Sequence, residues 1–399
     1  MEITKLKTNK FKTNLCALFI TVPLNKETVT KNALLVSVLR RGTKKLNTQE
    51  DIAKKLEGMY GAGFNCGVDK IGNYQTLKFY LETIDNSYTF EKENLLQDGV
   101  DLLLEIVFDP LIENGTFKKE YVEQEKENLA KIISSRQDNK ALYAKDRCIE
   151  EMFENEPYSL YKYGMLDKIK ELNETNLYKY YQELIKNSKI DLYISGENID
   201  DVKLPDIKSS KLNNITIKHN AHTKPKVVKE NLDVTQGKLI IGLNTPEENK
   251  AVVSMYNTIL GGGANSKLFQ NVREKASLAY SASSSYIRRQ NTILIRTGIE
   301  IENYDKALEI IKKQLQEMKD GNISDDEFNA AKELIISSVN LIPESAEDMI
   351  AYYFDQRIFG DDLNITEYEE KLKNVTKEQV IEVAQKVSID TIYFLKKGE

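Results

Sequence analysis

The chain has 399 residues, of which 41% are hydrophobic and 30% are charged, and 56 basic and 62 acidic residues give it a net charge of −6. This length predicts two or three domains, and the composition is typical of a globular protein. The charges alternate in sign along the chain, which argues against the basic face of a nucleic-acid-binding protein. No apolar run is long enough to predict a membrane span.

The N-terminal segment and the cysteines predict a cytoplasmic protein. Residues 1–5 have neither the apolar core nor the small-residue cleavage site of a signal peptide. Cys16, Cys66 and Cys148 are an odd number of cysteines at unrelated spacings, so they predict neither a disulfide framework nor a metal knuckle. A reducing compartment fits this usage best.

The first half of the chain alternates β-type runs with amphipathic helical patterns. Asn47 or Thr48 is placed to cap the second helix. The predicted elements are a strand at 15–22, helices at 31–41 and 48–60, strands at 64–69 and 74–83, helices at 90–107 and 117–135, further helical pattern to 187, and a strand at 190–194.

The second half repeats this scheme. Its predicted elements are a strand at 238–243, helices from about Glu248 to Leu260 and at 267–273, strands at 278–286 and 292–300, helices at 304–319, 325–338, 346–359 and 377–387, and a strand at 391–395. The halves align with an offset of 280 − 64 = 216 residues, which places Phe64 on Tyr280 and Thr76 on Thr292.

This internal duplication predicts an α+β fold of two homologous domains. Each domain is expected to have an antiparallel sheet with helices packed on one face. Residues 204–226 contain Pro, Lys and Asn without periodicity, which is typical of a linker. We therefore predict an N-terminal domain at 1–203, a linker at 204–226 and a C-terminal domain at 227–399.

The most distinctive segment of the chain is 261–280, with the sequence GGGANSKLFQNVREKASLAY. A glycine run opens a short amphipathic helix that ends on Arg273, and a β-type run that carries Tyr280 follows at once. The triple glycine permits a tight turn or a close approach of two backbones. It lacks the following Lys-Ser/Thr element of a phosphate-binding loop.

This segment resembles the second domain of the pitrilysin/insulinase family of zinc peptidases, the family of mitochondrial processing peptidase. In that family an Arg and a Tyr seven positions apart reach a zinc site on another domain, and Arg273 and Tyr280 keep that spacing. The predicted strand order, a Gly42-Thr43 pair, the linker and this segment follow one another as in the family. The resemblance implies half of a clamshell metallopeptidase.

The zinc motif of the family is missing from this chain. In catalytic members, a helix shortly before a Gly-Thr pair carries His-x-x-Glu-His, whose histidines bind zinc while the Glu acts as general base. Counted back from Gly42-Thr43, Ala33 and Ser37 occupy the histidine positions and Val36 occupies that of the base. We therefore expect no metal and no other cofactor in this chain.

The third zinc ligand of the family is a Glu that lies seven residues after another Glu on a later helix. If Glu125 is the first of these, Ile132 occupies the ligand position. Glu120, Glu123 and Glu127 are competing choices for this alignment. The acidic helix that carries them is otherwise interpreted as a mainly solvated face.

The chain has only two histidines, His219 and His222, and both lie in the predicted linker. A His-x-x-His pair on a helix can chelate a metal, but this segment has no helical pattern and no third ligand nearby. A solvated linker pair is the favoured interpretation.

The chemistry of peptide hydrolysis gives Arg273 and Tyr280 possible roles. A Tyr hydroxyl donates a hydrogen bond to the oxyanion that water attack creates, and an Arg fork holds a peptide carbonyl or carboxylate. The alternative is ordinary structure, with Arg273 paired to a surface Glu and Tyr280 on an edge strand. The surrounding motif favours a site inherited from the family.

The chain looks closest to the non-catalytic insulinase-like proteins of Gram-positive bacteria. These are associated by name with 5-aminopentanol modification of elongation factor P, and they accompany a sister protein that keeps the zinc motif. The resemblance implies a zinc-less subunit of a heterodimeric peptidase that is inactive alone and forms half of a peptide chamber. Its partners would be a zinc-bearing sister chain of similar size and a peptide or protein substrate, with no nucleic acid and no membrane.

Two alternatives stay open. The first is a peptide-binding or scaffold pseudo-peptidase that acts as a homodimer and adds an extended peptide to a sheet edge. The second is a stand-alone peptidase of unconventional type. It is disfavoured because no histidine accompanies a nucleophile and Cys66 has no local partner motif.

Overall fold

The computed structural model describes residues 1–91, 93–212, 215, 219–245 and 249–398. These residues form two compact units, and neither unit is a contiguous half of the chain. Unit 1 contains the described residues of Met1–Ser135, Leu160–Thr216 and Pro343–Asp361. Unit 2 contains those of Arg136–Ser159, Ile217–Ile342 and Asp362–Glu399. Each half of the chain therefore supplies one segment to the unit that the other half mainly builds.

The secondary structure of the described residues follows the duplicated pattern. The strands are β1 (Glu2–Lys7), β2 (Thr13–Pro23), β3 (Gly63–Ile71), β4 (Tyr74–Ile84), β5 (Ile112–Glu113), β6 (Thr116–Phe117), β7 (Lys189–Gly196), β8 (Lys226–Asn231), β9 (Gly237–Asn244), β10 (Ala279–Ile287), β11 (Thr292–Ile299) and β12 (Ser388–Lys396). The helices are α1 (Val29–Leu39), α2 (Gln49–Gly58), α3 (Leu95–Phe108), α4 (Lys119–Ser134), α5 (Lys140–Met152), α6 (Leu166–Lys170), α7 (Glu174–Asn187), α8 (Lys250–Gly261), α9 (Tyr304–Lys319), α10 (Asp325–Asn340), α11 (Ala346–Ile358), α12 (Ile365–Lys373) and α13 (Lys377–Lys386).

The main sheets of the two units have the same topology. In the described residues the order is β1-β7-β2-β4-β3 in unit 1 and β8-β12-β9-β11-β10 in unit 2. The pairs β1/β7 and β8/β12 run parallel, whereas the other neighbouring strands are antiparallel. This equivalence confirms the predicted duplication and the α+β fold of two homologous parts.

The sheet of unit 1 is covered on both faces because successive side chains of β2 point to opposite sides. Leu18 and Ile20 belong to the core formed with α1, α3, α4 and α7. Phe19 belongs to a second core formed with α11, where its ring stacks on that of Phe354 at a centroid distance of 3.9 Å. Helices α1, α3, α4 and α7 of the first half thus lie on one face of this sheet, and α11 of the second half covers the other face.

Unit 2 receives α5 from the first half of the chain in the same way. Cys148 and Met152 of this helix pack on the sheet residues Ile240, Leu294 and Tyr393. Buried residues of α5 recur at 144, 148 and 152, and those of α11 recur at 350, 354 and 358. The compact units therefore differ from the predicted domain boundaries at two segments, 136–159 and 343–361, each of which packs on the sheet of the other half. Local periodicity identifies each helix but not the sheet that it covers.

Most predicted elements are present, with ends displaced by a few residues. Thr48, one of the two residues predicted to cap α2, is its N-cap and forms a capping box with Asp51. Strands β1 and β8 and helix α12 were not predicted. Glu248, the predicted start of α8, lies outside the described residues, and the described part of this helix begins at Lys250.

The predicted linker contains no helix or strand in its described residues 204–212, 215 and 219–225, and β8 begins at its last position. Its remaining residues, 213, 214 and 216–218, lie outside the described part of the chain. None of the described helices is both long enough and apolar enough to cross a membrane.

Candidate functional site

Helix α1 places the zinc-motif positions in an environment that does not fit zinc. Ala33 and Val36 are buried in the apolar core of unit 1. Ser37 is half-buried, and its hydroxyl donates to the carbonyl oxygen of Ala33 at 3.5 Å. Zinc sites in proteins are built from thiolate, imidazole and carboxylate ligands, which these residues lack. Among the described residues, no three His, Cys, Asp or Glu side chains form a potential metal-binding group.

Helix α4, which carries the predicted third-ligand position, packs against α1. Ile132 is 42% exposed on this helix. Glu125 is only 7% exposed, and its Oε1 lies 3.2 Å from Nη1 of Arg41. The Arg41 guanidinium also lies over the Tyr121 ring, 4.8 Å from its centroid. The prediction of a solvated face is therefore wrong for Glu125, which is buried as the partner of a cation.

Cys66 is the thiol closest to the zinc-motif helix. Its Sγ lies 3.8 Å from the carbonyl oxygen of Val36, to which it donates. Burial raises the pKa of the Cys66 thiol to about 11, although the nearby Arg40 acts in the opposite direction. Because the thiolate is the nucleophilic form, this environment does not support a catalytic cysteine.

Arg273 lies in a π-helical segment, Phe269–Lys275, that follows the glycine run. Such segments are rare, and they often occur at functional sites. The guanidinium is exposed, lies 4.5 Å from the centroid of the Phe269 ring and pairs with Glu274 at 3.4 Å. Val272 of the same segment is fully buried and anchors it. The Phe269 ring and Glu274 thus hold the Arg273 guanidinium in place, and the guanidinium remains accessible to solvent.

Tyr280 lies at the start of β10, an edge strand of its sheet, and is 61% exposed. Its hydroxyl donates to Oε1 of Glu300 at 2.7 Å. This hydrogen bond raises the pKa of the Tyr280 phenol, so the hydroxyl stays protonated at neutral pH. A protonated, exposed hydroxyl held by an exchangeable acceptor is suited to donate to a ligand.

At Gly261, the last residue of α8, steric crowding explains why the chain has a glycine. A Cβ atom built there would lie 2.5 Å from the backbone nitrogen of Ser284 in β10. The predicted close approach of two backbones is therefore confirmed at this position.

His219 is nearly buried and His222 is partly buried, with its side chain 30% exposed, so the prediction of a solvated pair is wrong for His219. The His219 side chain is 9% exposed, and its ring contacts Glu156 through Nδ1 at 2.8 Å and Asp390 through Nε2 at 3.3 Å. The ring of His222 lies with Nδ1 3.0 Å from Asp390. Burial alone would lower the pKa of His219, but the hydrogen bonds to the two carboxylates outweigh it and raise that pKa. The pair joins the chain before β8 to strand β12.

Asp390 is a buried residue that no sequence motif identified. It is fully buried and accepts hydrogen bonds from Asn244 at 3.0 Å and Thr391 at 2.7 Å, besides the histidine contacts. Burial opposes its charge, but these hydrogen bonds, with those of the histidines, hold its pKa well below the ordinary value. The strand pairing makes Thr391 the equivalent of Asp191 in β7, since each pairs with the first residue of the parallel edge strand. Asp390 lies at a register irregularity of β12, so the duplication gave no signal for it.

Comparison with known proteins identifies the family. The probable inactive metalloprotease YmfF of Bacillus subtilis is 35% identical over 405 residues, which cover 99% of this chain and 95% of the relative. The chain belongs to the M16 peptidase family. A model of the peptidase M16 inactive domain matches residues 171–335. The resemblance to the pitrilysin/insulinase peptidases is thus confirmed.

Solved structures agree with this M16 assignment. A conserved protein from Enterococcus faecalis V583 is 26% identical, with a TM-score of 0.90 over 99% of this chain and 96% of that one. A peptidase M16 inactive domain from Pseudomonas fluorescens shares the fold with a TM-score of 0.80 over 100% and 96%, at 16% identity. Together with Ala33, Val36 and Ser37 in place of the zinc motif, these findings describe an inactive peptidase-like member of the M16 family.

Proposed function

We propose that the chain is the non-catalytic subunit of a two-chain M16 zinc peptidase. The partner is a sister chain of similar size that carries His-x-x-Glu-His and supplies the zinc and the general base. The proposal rests on one contrast: α1 holds no zinc ligand, whereas unit 2 keeps Arg273 and Tyr280 exposed on the π-helical segment and the edge strand. Exposure and the family spacing together support this role. The Glu274 ion pair and the edge-strand position also fit an ordinary structural role, so the kinetic test below distinguishes the two.

In this proposal Tyr280 acts as a hydrogen-bond donor to the substrate. Its hydroxyl exchanges Glu300, at 2.7 Å, for the oxyanion that forms on the scissile carbonyl. Donors placed where negative charge develops stabilise the transition state more than the substrate. Because Tyr280 is exposed, the exchange requires no opening of the core.

Arg273 holds the substrate in register in this proposal. Its guanidinium is oriented by the Phe269 ring and by Glu274, which leaves the rest of the fork for a peptide carbonyl or carboxylate. A positioning cation of this kind affects substrate affinity more than the chemical step.

The test is to co-express the chain with a chain of similar size from the same genome that carries His-x-x-Glu-His, and to assay an internally quenched peptide mixture. We expect Tyr280→Phe to lower kcat about a hundredfold, as loss of an oxyanion donor does. Arg273→Ala should raise KM by at least about tenfold. Tyr88→Phe, at an exposed tyrosine of unit 1, is the matched control and should change neither constant.

Each outcome distinguishes the parts of the proposal. Unchanged kinetics of the complex with Tyr280→Phe and Arg273→Ala would refute the donation of these residues. Failure of the two chains to copurify, with cleavage by the zinc-bearing chain alone, would refute the subunit role itself.

A second candidate function is a peptide-binding scaffold that forms a homodimer. One observation favours it: a groove of about 400 Å³ in unit 1 lies beside β3, an edge strand, and is lined in part by Phe64, Asn65 and Tyr80. An open strand edge next to a groove accepts an extended peptide as an added strand. A stable dimer of this chain that binds peptides and recruits no zinc-bearing partner would support this function over the first.

We also propose that the protein works in the cytoplasm. Its three cysteines are free thiols, and two of them, Cys16 and Cys148, are buried. Burial raises the pKa of both thiols, which keeps them protonated and inert. Such thiols are ordinary in a reducing compartment and need no oxidative pairing.

A further inference from the structure

Unit 2 contains a polar groove that the proposed peptidase role does not use. Its volume is about 400 Å³, within the range of sites that bind small ligands or peptide segments. Helix α8, strand β10 and helix α10 form its walls, which include Asn257, Ser284 and Leu334. We call it the α8 groove.

The α8 groove occupies the position in unit 2 that the zinc motif occupies in the first half of the chain. Helices α1 and α8 begin after the N-caps Thr28 and Asn249, which gives an offset of 249 − 28 = 221 residues. This offset applies to the two helices and differs from the 216 of the later pair Phe64 and Tyr280, because the chain between helix and strand is five residues shorter in the second half. The helix offset places Gly42 on Gly263, the end of the glycine run. With it, the three zinc-motif positions correspond to three residues that line the groove: Ser254, Asn257 and Thr258.

The two equivalent positions have opposite polarity. In unit 1, Ala33 and Val36 are buried in the apolar core. In unit 2, the equivalent positions carry a hydroxyl and an amide that line an open groove. Oδ1 of Asn257 is buried and accepts no hydrogen bond from any described residue. A buried acceptor of this kind costs free energy unless a donor from a ligand or solvent reaches it.

The charge of the groove is set by Arg288. Among the described residues that line the groove, it is the only one with a charged side chain. Its guanidinium lies over the Tyr368 ring, 4.7 Å from the centroid, and the Tyr368 hydroxyl lies 3.2 Å from that of Ser254. No ion pair joins Arg288 to a described carboxylate, and its Nε is buried without a hydrogen-bond acceptor in the described residues. Within the described part of the chain, no carboxylate neutralises this guanidinium.

Strand β10 adds a main-chain edge to the groove. It pairs with β11 on one side only, and its residues Ser284, Ser285 and Tyr286 line the groove. An unpaired strand edge offers main-chain donors and acceptors to an extended peptide. The hydroxyl groups around it suit polar or small side chains.

We propose that the α8 groove binds an extended peptide segment that carries a carboxylate. The segment pairs with β10 through its main chain, its carboxylate takes the fork of Arg288, and one of its N–H groups donates to Oδ1 of Asn257. Binding requires no zinc and no partner chain, so it is independent of the proposed subunit role. The groove is a second peptide site, separate from Arg273 and Tyr280.

The test uses the full chain and two short dye-labelled peptides in fluorescence anisotropy. Both alternate Val and Thr and have an amidated C-terminus; one has a central Glu and its twin has Gln. We expect the Glu peptide to bind about tenfold more tightly than its twin, the effect of one charge-assisted hydrogen-bonded pair. This preference should shrink as salt is added.

Three variants assign the binding to the groove. Arg288→Gln should abolish the preference for Glu, whereas Lys312→Gln, which removes an exposed cation of unit 2 outside the groove, should keep it. Ser338→Trp fills the groove from an exposed position on α10 and should weaken both peptides. Equal binding of the twins, or an unchanged preference in Arg288→Gln, would overturn the proposal. Absence of saturable binding by either peptide would overturn it as well.

Discussion

Replacement of Asp191 by Asn is expected to stabilise unit 1 at neutral pH. Asp191 is 1% exposed on β7, and the nearest cations are Nζ of Lys189 at 3.4 Å and Nε of Arg357 at 4.0 Å. Burial outweighs these cations and raises the pKa of Asp191 from its ordinary 3.8 to about 6. The folded protein therefore retains this proton at pH values at which the unfolded chain has already released it.

The size of the effect follows from that pKa. One pKa unit corresponds to about 1.4 kcal/mol, so ionised Asp191 costs the folded state about 3 kcal/mol at neutral pH. Stability is lost as pH rises from the unfolded pKa through the folded one and is then constant with respect to this group. Asn has the same shape and no charge. The advantage of Asp191→Asn should therefore be about 3 kcal/mol at pH 7.5 and about 1 kcal/mol at pH 4.5.

Urea unfolding followed by circular dichroism at the two pH values measures this difference. The control is Asp390→Asn, at a second buried aspartate that lies on β12. It should destabilise the protein by about 2 kcal/mol or more at pH 7.5, because the Asp390 carboxylate accepts hydrogen bonds from His219 and His222. A loss of stability in Asp191→Asn, or a gain that is the same at both pH values, would show that the Lys189 ion pair outweighs burial.

Two further predictions concern the glycine run and the metal. Gly261→Ala should lower the free energy of unfolding by about 1–3 kcal/mol, because its Cβ would lie 2.5 Å from the backbone nitrogen of Ser284. Gly58→Ala in α2, whose Cβ would meet nothing within 4 Å, should instead be neutral or stabilising by up to about 1 kcal/mol, and equal effects in urea unfolding would contradict this. Elemental analysis of the purified chain after mild chelation should find far less than one zinc per chain, and a stoichiometric zinc would contradict the absence of a site on α1.

Local patterns were sufficient for most of the elements. The boundary of α2 follows from Thr48, whose side chain and that of Asp51 satisfy each other's backbone N–H groups. The continuous apolar run of β2 identified a strand, but not that both faces of its sheet are covered, as the inaccessible Leu18 and Phe19 show. The family motif also identified Arg273 and Tyr280 as exposed candidates, because their environment is determined within a short stretch of chain.

Features that depend on distant segments were not predictable from those patterns. The apolar stripe of α11 is complete in the sequence, but nothing local shows that Phe354 packs on Phe19. The histidines lie in an aperiodic segment, and both contact Asp390 of β12. Because Asp390 lies 390 − 222 = 168 residues after His222, the local sequence does not predict these contacts. Arg288 of the α8 groove carries no motif, and its position in the groove over the Tyr368 ring is visible only in three dimensions.

The two units show why the loss of zinc ligands in α1 is difficult to reverse. Val36 is 3% exposed within the apolar core of unit 1, and Sγ of Cys66 donates to its carbonyl oxygen. Restoring a Glu at this position would bury a carboxylate beside apolar side chains, at a cost of several kcal/mol without a paired cation or metal. Arg41, a cation that follows this helix, is already paired with Glu125. The apolar residues of α1 therefore stabilise the scaffold as it is, so a return to zinc binding requires repacking the core as well as replacing three side chains.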